Sequence, residues 1–144
     1  MATPVNIIGS RNSNRAKVTK FGQLVTAPLQ YSTPVSVELD VINTAFNLLT
    51  PASGQSVVIT DIIVSADRNV STTTPANIVI YQALEADLLL PDKTIVRPQL
   101  VRSGNASYIG LNMIVDEGKW VNARTDDVGV LVTIMFYLVP QDLV

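Results

Sequence analysis

The chain has no cysteine and no histidine. Without a thiolate or an imidazole it can form no disulfide, no Ser-His-Asp or Cys-His catalytic arrangement, and none of the usual Zn, Cu or haem sites. The chemistry left open is that of carboxylates and of oxygen-ligated Ca²⁺ or Mg²⁺. Charge is scarce as well: Asp, Glu, Lys and Arg make up 15% of the 144 residues, against about 25% in an average soluble domain. Much of the surface must then be uncharged, which suits association. Long apolar runs are missing too, and residues 1–20 lack the apolar stretch of a signal peptide. The expectation is a soluble, unexported chain with no membrane partner.

What is present is divided along the chain. Residues 1–37 carry Arg11, Arg15, Lys17 and Lys20 and no acid, whereas residues 38–144 carry six basic and twelve acidic side chains, so a +4 leader precedes a −6 body. Leader and body should attract, within one molecule or between neighbours. The length fits one domain. The segment APLQYSTP, with two prolines, separates an extended N-terminal arm (1–34) from a folded domain (35–144). Within the arm, RAKVTKFGQLVTA reads as two short strands about an FG turn, a hairpin too small to stand alone.

The body reads as strands. VSVELDVI (35–42) puts Val35, Val37, Leu39 and Val41 on one face and Ser36, Glu38 and Asp40 on the other, the period of a half-buried strand. AFNLL (45–49), NIVIYQA (77–83), GLNMIV (110–115) and WVNART (120–125) follow the same logic, with turn chemistry between them. VVITDIIVSA (57–66) is apolar on both faces apart from Thr60, Asp61 and Ser65. VLVTIMFYLV (130–139) is nearly apolar on both, with Val130, Val132, Ile134, Phe136 and Leu138 opposing Leu131, Thr133, Met135, Tyr137 and Val139. Strands of that kind belong in the middle of a sandwich whose outer face meets a second subunit. TIVRPQLV (94–101) carries Pro98 and so belongs at a sheet edge. LEADLLLPDK (84–93) reads either as a helical turn ending before Pro91 or as an irregular crossing. Seven or eight short strands without an amphipathic helix give an all-β fold: an antiparallel β-sandwich, jelly-roll-like in preference to immunoglobulin-like, preceded by the arm and its hairpin.

Each candidate site has a plain structural competitor. The arm is read as a protein-docking element, with Arg11, Arg15, Lys17 and Lys20 meeting carboxylates while Phe21, Leu24 and their apolar neighbours are buried. Nucleic acid is not the expected partner, because only Phe21 could stack on bases and the body would repel phosphates. Asp116 with Glu117, and Asp126 with Asp127, could together ligate Ca²⁺, but Asp and Gly are also what tight turns take for backbone reasons, and that reading is preferred. Nothing pairs Asp61 with Glu85 as a glycosidase would require, so neither catalysis nor a cofactor is expected. Leu131, Met135, Tyr137, Val139 and Trp120 are the oligomer-interface candidates. The glycosylation patterns at Asn69 and Asn105 are taken as chance in an unexported chain.

The opening NIIGSRNSNRAKVTKFGQLV, followed by a compact β domain with VVITDIIVSADRNV and GLNMIVDEGKWVNARTDDVGVLVTIMFYLV, resembles small virion structural proteins of tailed bacteriophages over most of the chain. The resemblance implies a non-enzymatic capsid decoration or cement protein, a homo-oligomer with a trimer favoured, assembled in the host cytoplasm and carried on the capsid surface of the virion. Its arm would reach the major capsid protein or a neighbouring copy. The alternative it implies is a fibre or tail receptor-binding module, in which loops 67–75 and 102–109, with Tyr108 as a loop aromatic, touch a cell-surface glycan.

Overall fold

The computed structural model describes residues 34–51 and 53–140. The arm and its residues Arg11, Arg15, Lys17, Lys20, Phe21 and Leu24 lie outside the described residues. Ten strands run through the rest: β1 (Val35–Leu39), β2 (Phe46–Leu49), β3 (Gln55–Ala66), β4 (Ala76–Ala83), β5 (Lys93–Val96), β6 (Gln99–Leu100), β7 (Asn105–Tyr108), β8 (Met113–Ile114), β9 (Trp120–Thr125) and β10 (Val130–Pro140). One sheet has the order β1-β10-β3-β7, with β8 also on β3. The other has the order β2-β9-β4-β5, with β6 also on β4. Every pairing is antiparallel. Pro98 separates β5 from β6 at the edge of the second sheet, where its missing N–H breaks no ladder.

The two sheets close on one apolar core. Val130, Val132 and Ile134 of β10 pair with Ala66, Val64 and Ile62 of β3, and all six are buried against Ile78 and Ile80 of β4 and Val121 and Ala123 of β9. Each fully buried Val or Ile side chain contributes about 1.5–3 kcal/mol relative to exposure. The 12-residue β3 and 11-residue β10 lie side by side inside their sheet, as their two-sided apolar patterns require.

β3 keeps its faces correct through a bulge. Met135 pairs with Asp61 and the next residue, Phe136, pairs with Ile59, which leaves Thr60 without an opposite number. Ile59 and Ile62, three apart, therefore both point inward. The Thr60 hydroxyl donates to the Met135 carbonyl at 3.2 Å. The Leu111 N–H donates to the Thr60 carbonyl at 2.8 Å and the Gly110 N–H to Asp61 Oδ1 at 3.0 Å.

Three expectations need correction, and the choice left open for residues 84–93 is decided. Residues 110–115 are not one strand: opposite the bulge the chain bows out through Gly110 (φ 69°) and Asn112 (φ 46°), and pairing resumes only at Met113. Residues 105–108 are a strand, because Ala106 and Tyr108 pack on the core from the β3 edge. Tyr108 is therefore a half-buried strand residue and not a loop aromatic. Residues 84–92 form no helix; they take the irregular crossing, with one turn closed by Leu88 N–H on the Glu85 carbonyl at 3.4 Å. β1 stops at Leu39, since the chain turns away through Asn43 (φ 50°), whose N–H bonds to the Thr125 carbonyl at 2.9 Å.

Candidate functional site

The outward face of the first sheet is built by alternation. Because Val130, Val132 and Ile134 point inward, Leu131, Thr133, Met135, Tyr137 and Val139 point out, beside Ser65, Ile63, Asp61, Val58 and Ser56 of β3 respectively. Ile114 of β8 lies across β3 from Tyr137, completing a row Tyr137–Val58–Ile114. Leu131 is 42% exposed and Ile114 45% exposed, while Met135, Tyr137 and Val139 are half-buried. A hollow of about 320 Å³ opens beside Leu131, flanked by Glu38, Ser65 and Asp67. The fold thus brings together four of the five proposed interface residues. Trp120 is not among them: it opens β9 opposite Ala83, on the outward face of the other sheet.

That second face is covered by the chain itself. Val79, Tyr81 and Ala83 point out from β4 but are buried under Leu88 of the 84–92 crossing. The Tyr81 hydroxyl donates to the Leu88 carbonyl at 2.7 Å. Asn122 Nδ2 donates to the Glu85 carbonyl at 2.9 Å, and Asn122 Oδ1 accepts from Asn47 at 3.3 Å. Burial pushes the Tyr81 phenol above its ordinary value, against the pull of the Arg124 guanidinium and of its hydrogen bond with Asn122. Asn122 and Gln82, both fully buried, are polar anchors that strand periodicity does not distinguish from core positions. Outward, the crossing displays Leu84 (63% exposed) and Leu90 (71% exposed).

The acidic pairs sit at opposite ends of β9. Asp116 Oδ2 accepts from Gln82 at 2.9 Å while its own N–H donates to Gln82 Oε1 at 2.9 Å, stitching one end of the sandwich. Beside it Lys119 meets Asp92 at 3.2 Å. At the other end, Asp126 receives the Asn77 N–H at 2.7 Å and Asn77 Nδ2 at 2.6 Å, and Asp127 receives the Ser71 N–H at 3.2 Å. The two turns do not meet, and among the described residues no three acids group in a metal-holding arrangement. Asp61 faces outward from the first sheet and Glu85 lies over the outside of the second, so the sandwich stands between them.

The loops at the Asp126 end are knit together. Asp67 N–H donates to the Gly129 carbonyl at 2.9 Å, Ser103 N–H to the Ala66 carbonyl at 3.0 Å, and Arg102 Nε to the Val70 carbonyl at 3.1 Å. Near them, on the outward face of the second sheet, a hollow of about 230 Å³ is lined by Asn43, Asn77, Val79, Arg97, Arg124 and Asp126, among others. Among the described residues no helix is long and apolar enough to cross a membrane. No protein-family model matches the chain, and no curated protein matches it.

Proposed function

We propose that this chain is a non-enzymatic virion structural protein, a capsid decoration or cement subunit that associates with copies of itself through the outward face of β10 and β3. The observation that carries the reading is the difference between the two outward faces. One is covered in part by the 84–92 crossing, whose Leu88 packs on buried Val79, Tyr81 and Ala83. The other presents Leu131, Met135, Tyr137 and Val139 along an 11-residue strand inside the sheet, with Ile114 of β8 across β3 from them. Apolar rows of that kind are the ordinary material of homo-oligomer interfaces.

The strand order supports the finer, jelly-roll reading of the sandwich. Setting β1-β10-β3-β7 against β2-β9-β4-β5 carries the chain back and forth between the sheets, except that β5 and β6 stay with β4 and β8 stays with β7, and brings the last long strand beside the first, as two nested Greek keys do. Jelly rolls recur in viral capsid and lectin domains and in cupins, and since a fold hosts many functions, the surface carries more weight than the topology. A trimer follows from the role, because three-fold positions are abundant on icosahedral shells. In this reading the arm, with Arg11, Arg15, Lys17 and Lys20, grips the major capsid protein of a tailed phage, and the assembled subunit is carried on the capsid surface.

Sedimentation velocity on the full chain tests the face. Leu131→Lys should yield monomer, whereas Leu90→Lys, on the crossing, should leave the oligomer intact. A monomeric wild-type protein, or dissociation by Leu90→Lys alone, would overturn the assignment. Copy number per purified virion, by quantitative mass spectrometry, tests the role: a number comparable to the coat subunit is expected, and absence from virions refutes it.

A further inference from the structure

We infer that the hollow on the outward face of the second sheet is a binding site for a monoanionic sugar acid, a uronic-type ring whose carboxylate meets Arg97 and Arg124. The inference is independent of the association face, which lies on the other sheet. Arg124 projects from β9 opposite Val79 of β4, and Arg97 follows β5, so the two guanidiniums flank β4 from either side. Among the described residues neither has a carboxylate partner, the ion pair there being Lys119 with Asp92. On a body of net −6, two cations gathered in one hollow, with no carboxylate at ion-pair distance from either among the described residues, are arranged for an anion from outside.

The neighbours narrow the class of anion. Asp126 lines the same hollow, yet it is held by Asn77 through both oxygens, at 2.7 and 2.6 Å, and does not neutralise the arginines by contact. Its charge still counts, so the hollow sums to +1 and matches a carboxylate better than a dianionic phosphate. Each Asp126 oxygen keeps acceptor capacity beyond its bond to Asn77, and the Asn43 side chain offers donors and an acceptor. Acceptors beside an anion-binding pair suit a ligand that carries hydroxyl groups together with its carboxylate. The volume of about 230 Å³ falls below the roughly 300–1,000 Å³ of sites for drug-sized ligands, which fits a single ring.

The test is titration of the full-length protein with glucuronate, glucose and inorganic phosphate in separate arms, followed by ¹H–¹⁵N NMR. Saturable glucuronate shifts are expected at Asn43, Asn77, Arg97 and Arg124, with glucose and phosphate weaker by about tenfold or more. Arg97→Gln and Arg124→Gln should each weaken glucuronate binding by about tenfold. Arg97 is exposed, so its replacement leaves the fold intact and keeps the test valid if Arg124→Gln disturbs β9. No saturable shift at these residues, or wild-type affinity in Arg97→Gln, overturns the site. Phosphate binding as tight as glucuronate overturns the assignment to a sugar acid.

Discussion

Deleting Thr60 from the middle of the longest core strand should leave a folded protein. Residues 57 and 59 point inward before the bulge and 62, 64 and 66 after it, so removing the unpaired residue restores strict alternation and turns no core side chain outward. What is lost is the hydrogen bond from Thr60 to the Met135 carbonyl at 3.2 Å and the acceptor for the Leu111 N–H at 2.8 Å. At about 0.5–1.5 kcal/mol for the first and about 1–3 kcal/mol for a buried donor left without a partner, the deletion should cost roughly 2–4 kcal/mol. Deleting Ile63, three residues on, is a different matter. It flips Val64 and Ala66 outward and carries Ser65 into the core, at about 1.5–3 kcal/mol for the valine and about 1–3 kcal/mol for the hydroxyl before any cavity is counted. That sum reaches the range of a whole domain's stability, about 5–15 kcal/mol. Urea unfolding and near-ultraviolet circular dichroism on both deletions decide the matter. A molten Thr60 deletion, or an Ile63 deletion with the same midpoint as the Thr60 deletion, refutes the bulge as the device that sets the faces.

Gly129 and Gly118 form a second pair. Both have positive φ, 87° and 72°, but a Cβ at 129 would run into the Asp67 carboxylate whereas at 118 it meets nothing within 4 Å. Gly118→Ala should cost about 1–2 kcal/mol and Gly129→Ala roughly 2–5 kcal/mol, the excess coming from the displaced Asp67–Asn69 hydrogen bonds. Equal thermal shifts for the two variants would be inconsistent with that packing. Tyr81 contributes to alkaline stability: burial raises its folded pKa above the ordinary 10.0, so the unfolded chain releases this proton first as pH rises. Its contribution is full below about pH 10 and is lost as pH climbs through the folded value. Tyr81→Phe should flatten the alkaline limb of Tm against pH, and identical limbs would count against the burial effect.

The strands legible in the sequence were those whose period-2 pattern is set by one buried face, as at 35–39, 77–83 and 120–125, or by two apolar faces, as in β3 and β10. β7 was illegible because only Ala106 and Tyr108 of its four residues face the core, too few to make a period. The bulge was hidden for a related reason: Thr60 and Asp61 interrupt the apolar pattern, and only the partner strand shows which of them is the extra residue. The 84–92 crossing is Leu-rich enough to imitate a helical turn, yet its conformation is dictated by Tyr81 and Asn122 from another layer. Four interface candidates shared a face because alternation along β10 is local information. Trp120 parted from them because membership of a sheet is long-range information. Nothing in the spacing of Arg97 and Arg124 announces that strand pairing sets them on either side of β4.

The two outward faces differ in how their apolar surface is managed, and that difference bears on how the molecule works. On the second sheet the exposure of Val79, Tyr81 and Ala83 is removed by the 84–92 crossing, whose backbone carbonyls are satisfied by Tyr81 and Asn122. The margin of that face remains available for polar contacts, and there the arginine hollow lies. The outward positions of β10 alternate apolar side chains with the hydroxyl of Thr133, which bonds Ser36 at 2.9 Å, and the flanking acids Glu38 and Asp61 stand beside Leu131 and Met135. Those acids would tolerate a partner that supplies basic groups at the rim, and the +4 leader of a neighbouring copy has them. Association through this face would therefore place apolar side chains at the centre and opposite charges at the margin. Raising ionic strength from about 0.05 to 0.5 M should accordingly slow assembly more than it loosens the assembled oligomer.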